Sequence, residues 1–170
     1  MNIVKSNQIT FTRPNDSTQY AAGDLVADTT SAATVTNRLF VFNRCRGPIR
    51  IRKWLFQKTD NDTTAASFLL MLFSAAPTYT TGGDNSAITT VLQATAGSYL
   101  GTMSVTVSSG DTTRAFGQGG PVVGDYITWN PEWDGTETAT LYGVCVANGT
   151  YTPTAQGVYV FQLEGEIEGA

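Results

Sequence analysis

The sequence predicts an all-β protein, a two-sheet antiparallel sandwich of jelly-roll type. Three observations point there. No helical periodicity extends beyond two turns, whereas period-two alternation of apolar and polar residues recurs along the chain. Gly-, Pro-, Asn- and Asp-rich turns separate these runs at short intervals. Thr supplies about one residue in six, a β-branched type that can furnish an outer sheet face without charge. An immunoglobulin-like sandwich is the alternative. Its Cys…Trp…Cys spacing is poorly met, because Trp54 follows Cys45 closely while Cys145 comes far too late.

The elements follow in order. Ile9 to Thr12 alternates and is closed by Pro14, which cannot donate to a ladder. Leu25 to Ala27 is a short strand. Arg38 to Asn43 carries Leu39 and Val41 on one face and Phe40 and Phe42 on the other, so a central strand packed on both sides is expected. After Gly47-Pro48, Ile49 to Lys58 places Ile49, Ile51 and Leu55 on one face and Arg50, Arg52, Trp54 and Phe56 on the other. The run Phe68 to Phe73 reads as a buried strand, forming a hairpin with 49–58 across the polar turn 59–64. Residues 75–97 read as irregular, with a helical turn near Val91. Tyr99 to Val107, Tyr126 to Trp129, Thr138 to Ala147 and Gly157 to Ile167 read as strands. Phe116 to Gly124, with four glycines and a proline, reads as a loop. Asn148-Gly149 is the strongest turn signal, since both positions tolerate positive φ. Eight or nine strands without a repeat or linker make one domain over 1–170, with residues 1–22 a candidate extended N-terminal arm.

Composition narrows the function. The 170 residues are enough for one sizeable core. Hydrophobic residues make up 41% and charged residues 14%. The charged share is well below the roughly 25% of ordinary soluble domains, as expected where part of the surface is covered by a partner. A net charge of −4 argues against a general nucleic-acid binder. The chain has no histidine, which excludes Ser-His-Asp triads, Cys-His pairs and His-containing zinc sites. Cys45 and Cys145 form no CxxC and no disulfide framework, and both read as small buried hydrophobes. No apolar run approaches the roughly 18 residues of a membrane span, and the first residues lack a signal-peptide h-region, so cytosolic synthesis is expected.

Several constellations are candidates for function. Seven of the ten Lys and Arg lie between Arg38 and Lys58. From these, Arg44, Arg46, Arg50, Arg52 and Lys53 are candidate contacts to an acidic partner surface. The competing reading is internal: Glu164, Glu166 and Glu168 alternate on the last strand and would pair across strands if it lay beside 49–58. Tyr126, Trp129 and Trp133 form an alternative aromatic surface of the kind that holds sugars. Asp60-Asn61-Asp62 and Asp84-Asn85 offer oxygen ligands, but 60–71 lacks the Gly and Glu of an EF-hand, and Asx turns explain both clusters. Glu132 and Asp134 stand too isolated to make a glycosidase pair. No catalytic residue, cofactor or metal site is expected, and the chain is read as a non-enzyme.

Four stretches taken in order carry a resemblance. They are Thr12-Arg13-Pro14-Asn15-Asp16 … Tyr20-Ala21-Ala22-Gly23-Asp24; Ile49-Arg50-Ile51-Arg52-Lys53-Trp54-Leu55; Leu70-Met71-Leu72-Phe73-Ser74-Ala75-Ala76-Pro77-Thr78, followed by Gly83-Asp84-Asn85-Ser86-Ala87; and Ser98-Tyr99-Leu100-Gly101. Together they resemble the capsid cement, or decoration, proteins of tailed bacteriophages. The resemblance implies a jelly roll on the outside of an HK97-type shell, bound to the major capsid protein between capsomers and resisting the pressure of packaged DNA. It also implies self-association, with a homodimer preferred over a homotrimer; the acidic balance and the lack of a long apolar run point to no nucleic-acid or membrane partner. A receptor-binding, fibre-tip or carbohydrate-binding jelly-roll module is the alternative function.

Overall fold

A computed structural model describes residues 2–31, 37–43, 47–59, 64–88, 90–91, 97–131 and 138–167. Its strands are β1 (Asn2–Lys5), β2 (Ile9–Thr12), β3 (Arg38–Asn43), β4 (Ile49–Thr59), β5 (Ala66–Phe73), β6 (Tyr79–Thr80), β7 (Thr90–Val91), β8 (Tyr99–Ser109), β9 (Ala115–Pro121), β10 (Ile127–Trp129), β11 (Thr138–Ala147) and β12 (Val158–Ile167). β1 and β2 pair in succession along β12, and β9 and β10 in succession along β4, so each couple acts as one interrupted strand. One sheet then runs β1/β2–β12–β4–β9/β10 and the other β3–β11–β5–β8, with every pairing antiparallel. Counting these eight strands along the chain gives the orders 1-8-3-6 and 2-7-4-5, the interleaved Greek keys of a jelly roll. The immunoglobulin-like alternative does not have this order.

The order changes several local expectations. β4 and β5 lie in different sheets and form no hairpin. Asn148-Gly149 turns the chain as expected, with Gly149 at φ 134°, and carries it from one sheet to the other. Val91 lies in a two-residue strand opposite Tyr79, not in a helical turn. Residues 2–12 are not a free arm, since they form the outer strand of their sheet. β3 is an edge strand: Phe40 and Phe42 point inward, while Leu39 is exposed. Asn7, at the break between β1 and β2, covers that edge. Its backbone N–H donates to Val41 O at 2.9 Å and its Oδ1 accepts from Val41 N–H at 2.8 Å. Unpaired edge groups are thereby satisfied and the sandwich is nearly closed on that side.

Of the Gly-rich segment read as a loop, Phe116 to Pro121 belongs to strand β9, while Val122 to Gly124 lie outside any strand. β9 pairs with β4 over Ala115 to Gly119 and with β8 at both its ends, so it belongs to both sheets and turns the corner between them. Such a corner brings two backbones together. A Cβ on Gly119 would strike the carbonyl of Ser104, and one on Gly117 the carbonyl of Thr106. Glycine is present because the crossing strands leave no room for a side chain.

The core between the sheets is aromatic. Phe56 lies 4.6 Å from Phe161, 4.5 Å from Phe68 and 5.4 Å from Trp54, ring centre to ring centre, mostly in the tilted and edge-on arrangements that ring quadrupoles favour. A second, smaller core lies outside the β3–β11–β5–β8 sheet, where Leu25 and Ala27 pack against Phe73 and Val144. This explains why the run Phe68 to Phe73 is apolar on both faces.

What fastens that outer layer is a buried network. The Arg13 Nη2 to Asp84 Oδ2 distance is 2.6 Å, with both side chains fully buried. Arg13 Nε donates to Tyr20 Oη at 2.6 Å, Tyr20 Oη donates to Asp84 Oδ1 at 2.7 Å, and Ala27 N–H donates to the same oxygen at 2.7 Å. Arg13 Nη1 reaches the carbonyl of Asp16 at 3.2 Å. Burial opposes the charge on Arg13, but Tyr20 and Asp84 more than offset it and hold the guanidinium protonated. Burial pushes the Tyr20 hydroxyl far up, so it remains a donor. Burial also pushes the Asp84 carboxyl up, against the pull of Arg13.

Two predictions follow from this packing. Asp84→Ala leaves a charged guanidinium buried without its partner and is expected to destabilise the fold by about 3–5 kcal/mol in urea titration, against about 1 kcal/mol for Tyr20→Phe. Equal losses for the two would contradict the network. Gly119→Ala is expected to lower stability by at least about 1–3 kcal/mol through overpacking, whereas Ala at the open position Gly124 is expected to act only through its φ of 74°.

Candidate interaction face

The outer face of the β1/β2–β12–β4–β9/β10 sheet carries most of the described candidates. A bulge decides which β4 side chains reach it. Glu164 pairs with Lys53 but Gly165 pairs with Ile51, so Arg52 is the extra residue. One inserted residue flips the alternation. Ile49 and Ile51 point inward as expected, but beyond the bulge it is Trp54, Phe56 and Lys58 that are buried, while Leu55 turns outward. Trp54 and Phe56 therefore do not share the face of Arg50 and Arg52.

Arg50, Arg52 and Lys53 all lie on this outer face, where β12 supplies the opposite charge. Arg52 Nη2 lies 2.9 Å from Glu166 Oε2, Lys53 Nζ 3.2 Å from Glu164 Oε1, and Lys5 Nζ 3.5 Å from Glu164 Oε2. The Arg50 guanidinium sits 4.6 Å from the centre of the Tyr126 ring, a favourable cation–π distance. Two other basic residues of the 38–58 stretch are internal. Arg38 is buried with its guanidinium 3.6 Å over the Phe11 ring, and Lys58 is buried with Nζ donating to Thr64 O at 2.5 Å. Arg44, Arg46 and Glu168 lie outside the described residues.

The aromatic surface expected from Tyr126, Trp129 and Trp133 does not assemble from its described members. β10 alternates, which sends Ile127 and Trp129 inward and leaves Tyr126 outside. Trp129 is 5% exposed and its ring centre lies 6.2 Å from that of Phe42, so it is a core residue. Trp133, Glu132 and Asp134 lie outside the described residues. Tyr126 instead borders an apolar groove of about 720 Å³ with Tyr99, Leu69, Val122 and Val123. Val122 is 55% exposed and Val123 84%. This is the densest exposed apolar cluster among the described residues, and it adjoins Arg50 through Tyr126.

Among the described residues no group of three His, Cys, Asp or Glu side chains could hold a metal. Asp84, one of the oxygen-ligand candidates, is committed to Arg13, Tyr20 and Ala27, while 60–63 lie outside the described residues. Cys145 is a free, buried thiol whose pKa is pushed up by burial, and Cys45 lies outside the described residues. The groove beside Tyr126 gives no local sequence signal, because Tyr99 and Val122–Val123 are distant in the chain and meet only through β8 and β9.

No protein-family model matches the chain, and no curated protein matches it. Among solved structures it is similar to one of Sacbrood virus of honeybee, at 14% identity and a TM-score of 0.31 over 98% of this chain and 72% of that one. It is also similar to the catalytic domain of a GH87 alpha-1,3-glucanase in complex with tetrasaccharides, at 9% identity and a TM-score of 0.26 over 98% of this chain and 30% of that one. Both scores are too low to indicate a shared fold.

The ion-pair ladder has a measurable signature. Partial burial opposes ionisation of Glu164, but Lys53 and Lys5 outweigh it and hold the carboxyl below its ordinary 4.5. A carboxyl whose folded pKa is depressed stabilises the fold above its unfolded pKa and loses that contribution as the pH falls. Glu164→Gln is expected to lower stability at pH 7 by at most about 1 kcal/mol, because both lysines are half exposed and screened. The difference from the parent should shrink in high salt and vanish as the pH falls below 4.5. A difference that persists at low pH would contradict the assignment.

Proposed function

We propose that this chain is a structural virion protein of a tailed bacteriophage: a capsid cement protein made in the host cytoplasm and bound to the outside of an HK97-type shell, between capsomers. One observation carries the reading. Two of the stretches that resemble the cement family, 12–24 and 83–87, meet at one buried point, the Arg13–Tyr20–Asp84 network, although Arg13 and Asp84 are 71 residues apart in sequence. Chance matches scattered along a chain have no reason to converge on one set of hydrogen bonds. The jelly-roll order agrees with the fold that the resemblance implies.

The physical demands of cementing also fit. A cement protein has to be rigid and to make many modest contacts that sum by avidity over a lattice, and it needs no reactive side chain. The face around Arg50, Arg52, Lys53 and Tyr126, with the exposed Val122 and Val123 beside it, offers charge for register and apolar area for affinity. The major capsid protein is the partner assigned to it. A second copy of the chain, in a homodimer, is the other proposed partner.

Phage particles lacking this protein are expected to release their DNA at lower temperature than complete ones, and purified protein added back should restore the difference. A Val122→Asp/Val123→Asp variant, altered at two exposed positions, should fold normally but fail to restore it. Particles that withstand heat and hold full-length DNA equally well without the protein would overturn the reading.

A further inference from the structure

Next to the charged ladder the same sheet face changes character. Register places Gln162, Leu55 and Gln118 side by side across β12, β4 and β9, and Val160, Gln57 and Phe116 side by side in the adjacent row. Amide and apolar side chains therefore alternate in both directions, as on a checkerboard. Neighbouring strands lie about 4.8 Å apart and successive outward residues on one strand about 7 Å apart. Gln8, at the break between β1 and β2, extends the amides at one margin. These residues line an open groove of about 430 Å³, within the usual range for small-ligand sites.

Three features make this a recognition surface. None of the lining side chains is charged. Gln162 Nε2 donates to Ser6 O at 2.9 Å, but Gln8, Gln57 and Gln118 make no side-chain hydrogen bond among the described residues, so their donors and acceptors face outward unused. Phe116 is 50% exposed, with its ring lying against Gly110, where any added Cβ would strike it.

A primary amide offers a donor and an acceptor in one plane, which matches two adjacent hydroxyls, each itself donor and acceptor. An exposed aromatic ring matches the flat C–H face of a pyranose. A carboxylated or phosphorylated ligand would find no cation in the groove, and a hydrocarbon would leave the amides unpaired. We infer that this groove binds a neutral oligosaccharide, lying across β12, β4 and β9 with its hydroxyls on Gln57, Gln118 and Gln162 and one ring on Phe116. The site is distinct from the Arg50–Tyr126 face, and the inference stands or falls independently of the cement role.

The test uses the purified full chain, 15N-labelled, titrated with maltotetraose, cellotetraose, laminaritetraose and chitotetraose, with tetragalacturonate as an anionic comparator. At least one neutral sugar is expected to shift the side-chain amide signals of Gln57 and Gln118 with millimolar or tighter affinity. Gln118→Ala and Phe116→Ala should each weaken that sugar at least about fivefold, roughly one lost hydrogen bond or ring contact, with the unfolding temperature little changed. Tetragalacturonate should bind less well. No shift with any neutral sugar at about 20 mM, a binding energy too small to matter, would overturn the inference. So would shifts confined to Val122–Tyr126, or the same glutamine signals moving on dilution of the protein alone, which would assign the groove to a second copy.

Discussion

The Arg13–Asp84 ion pair is the constraint on which the outer architecture depends. A charge pair with no solvent access contributes little net stability compared with apolar residues of the same size, but losing either member is severe. Its effect is therefore conditional: it allows only arrangements that bring both groups together with Tyr20 and the Ala27 N–H. That condition fixes the end of β2, the 20–27 segment and the turn at Gly83-Asp84-Asn85 relative to one another. The turn is built for it. Gly83 and Asn85 both take positive φ, at 102° and 57°, and the Gly83 Cα lies against the backbone of Thr30, where a Cβ would not fit. Residues 23–26 can then lie along β11, through Val26 N–H to Cys145 O and Ala147 N–H to Asp24 O, and cover the small outer core.

Fastening one sheet's outer surface in this way leaves the other sheet's outer surface open. The two sheets thus have different roles. One is overlaid by its own chain and adds thickness and rigidity. The other presents the ion-pair ladder of Arg52, Lys53, Glu164 and Glu166; a margin where the apolar groove by Tyr126 and Val123 crosses to Leu69 and Tyr99 of the opposite sheet; and the amide checkerboard around Gln57. A single inserted residue, Arg52, separates the first and last of these. Without that bulge Leu55 and Gln57 would face the core and Trp54 and Phe56 would face solvent.

Much of the fold was legible in the sequence because long alternating strands state their own faces. β11 and β12 follow their alternation closely, with Tyr159, Phe161 and Leu163 inward as period two demands. Failures have specific causes. β9 reads as a loop by composition, since three glycines and a proline are turn residues anywhere except where two backbones cross. The bulge on β4 is invisible, because an inserted Arg or Lys fits a solvent-facing pattern as well as a regular one. β3 reads as central because Leu39 and Val41 are apolar, yet it is an edge covered by Asn7. Of the candidate site residues, Tyr126 and Trp129 look like one surface by composition, yet three residues apart along an alternating run they face opposite ways. The Arg13–Asp84 pair was beyond reach of spacing arguments, as nothing local links residues 71 apart.

The proposed role lays this domain on another protein's lattice through the Arg50–Tyr126 end of its open sheet and leaves the amide groove uncovered. Cryo-EM of intact virions, with copy number from mass spectrometry, tests it most directly. Copies in numbers comparable to the major capsid protein are expected on the outer shell, with Arg50, Tyr126 and Val123 at the contact. A few copies at the tail, or none in the particle, would contradict it.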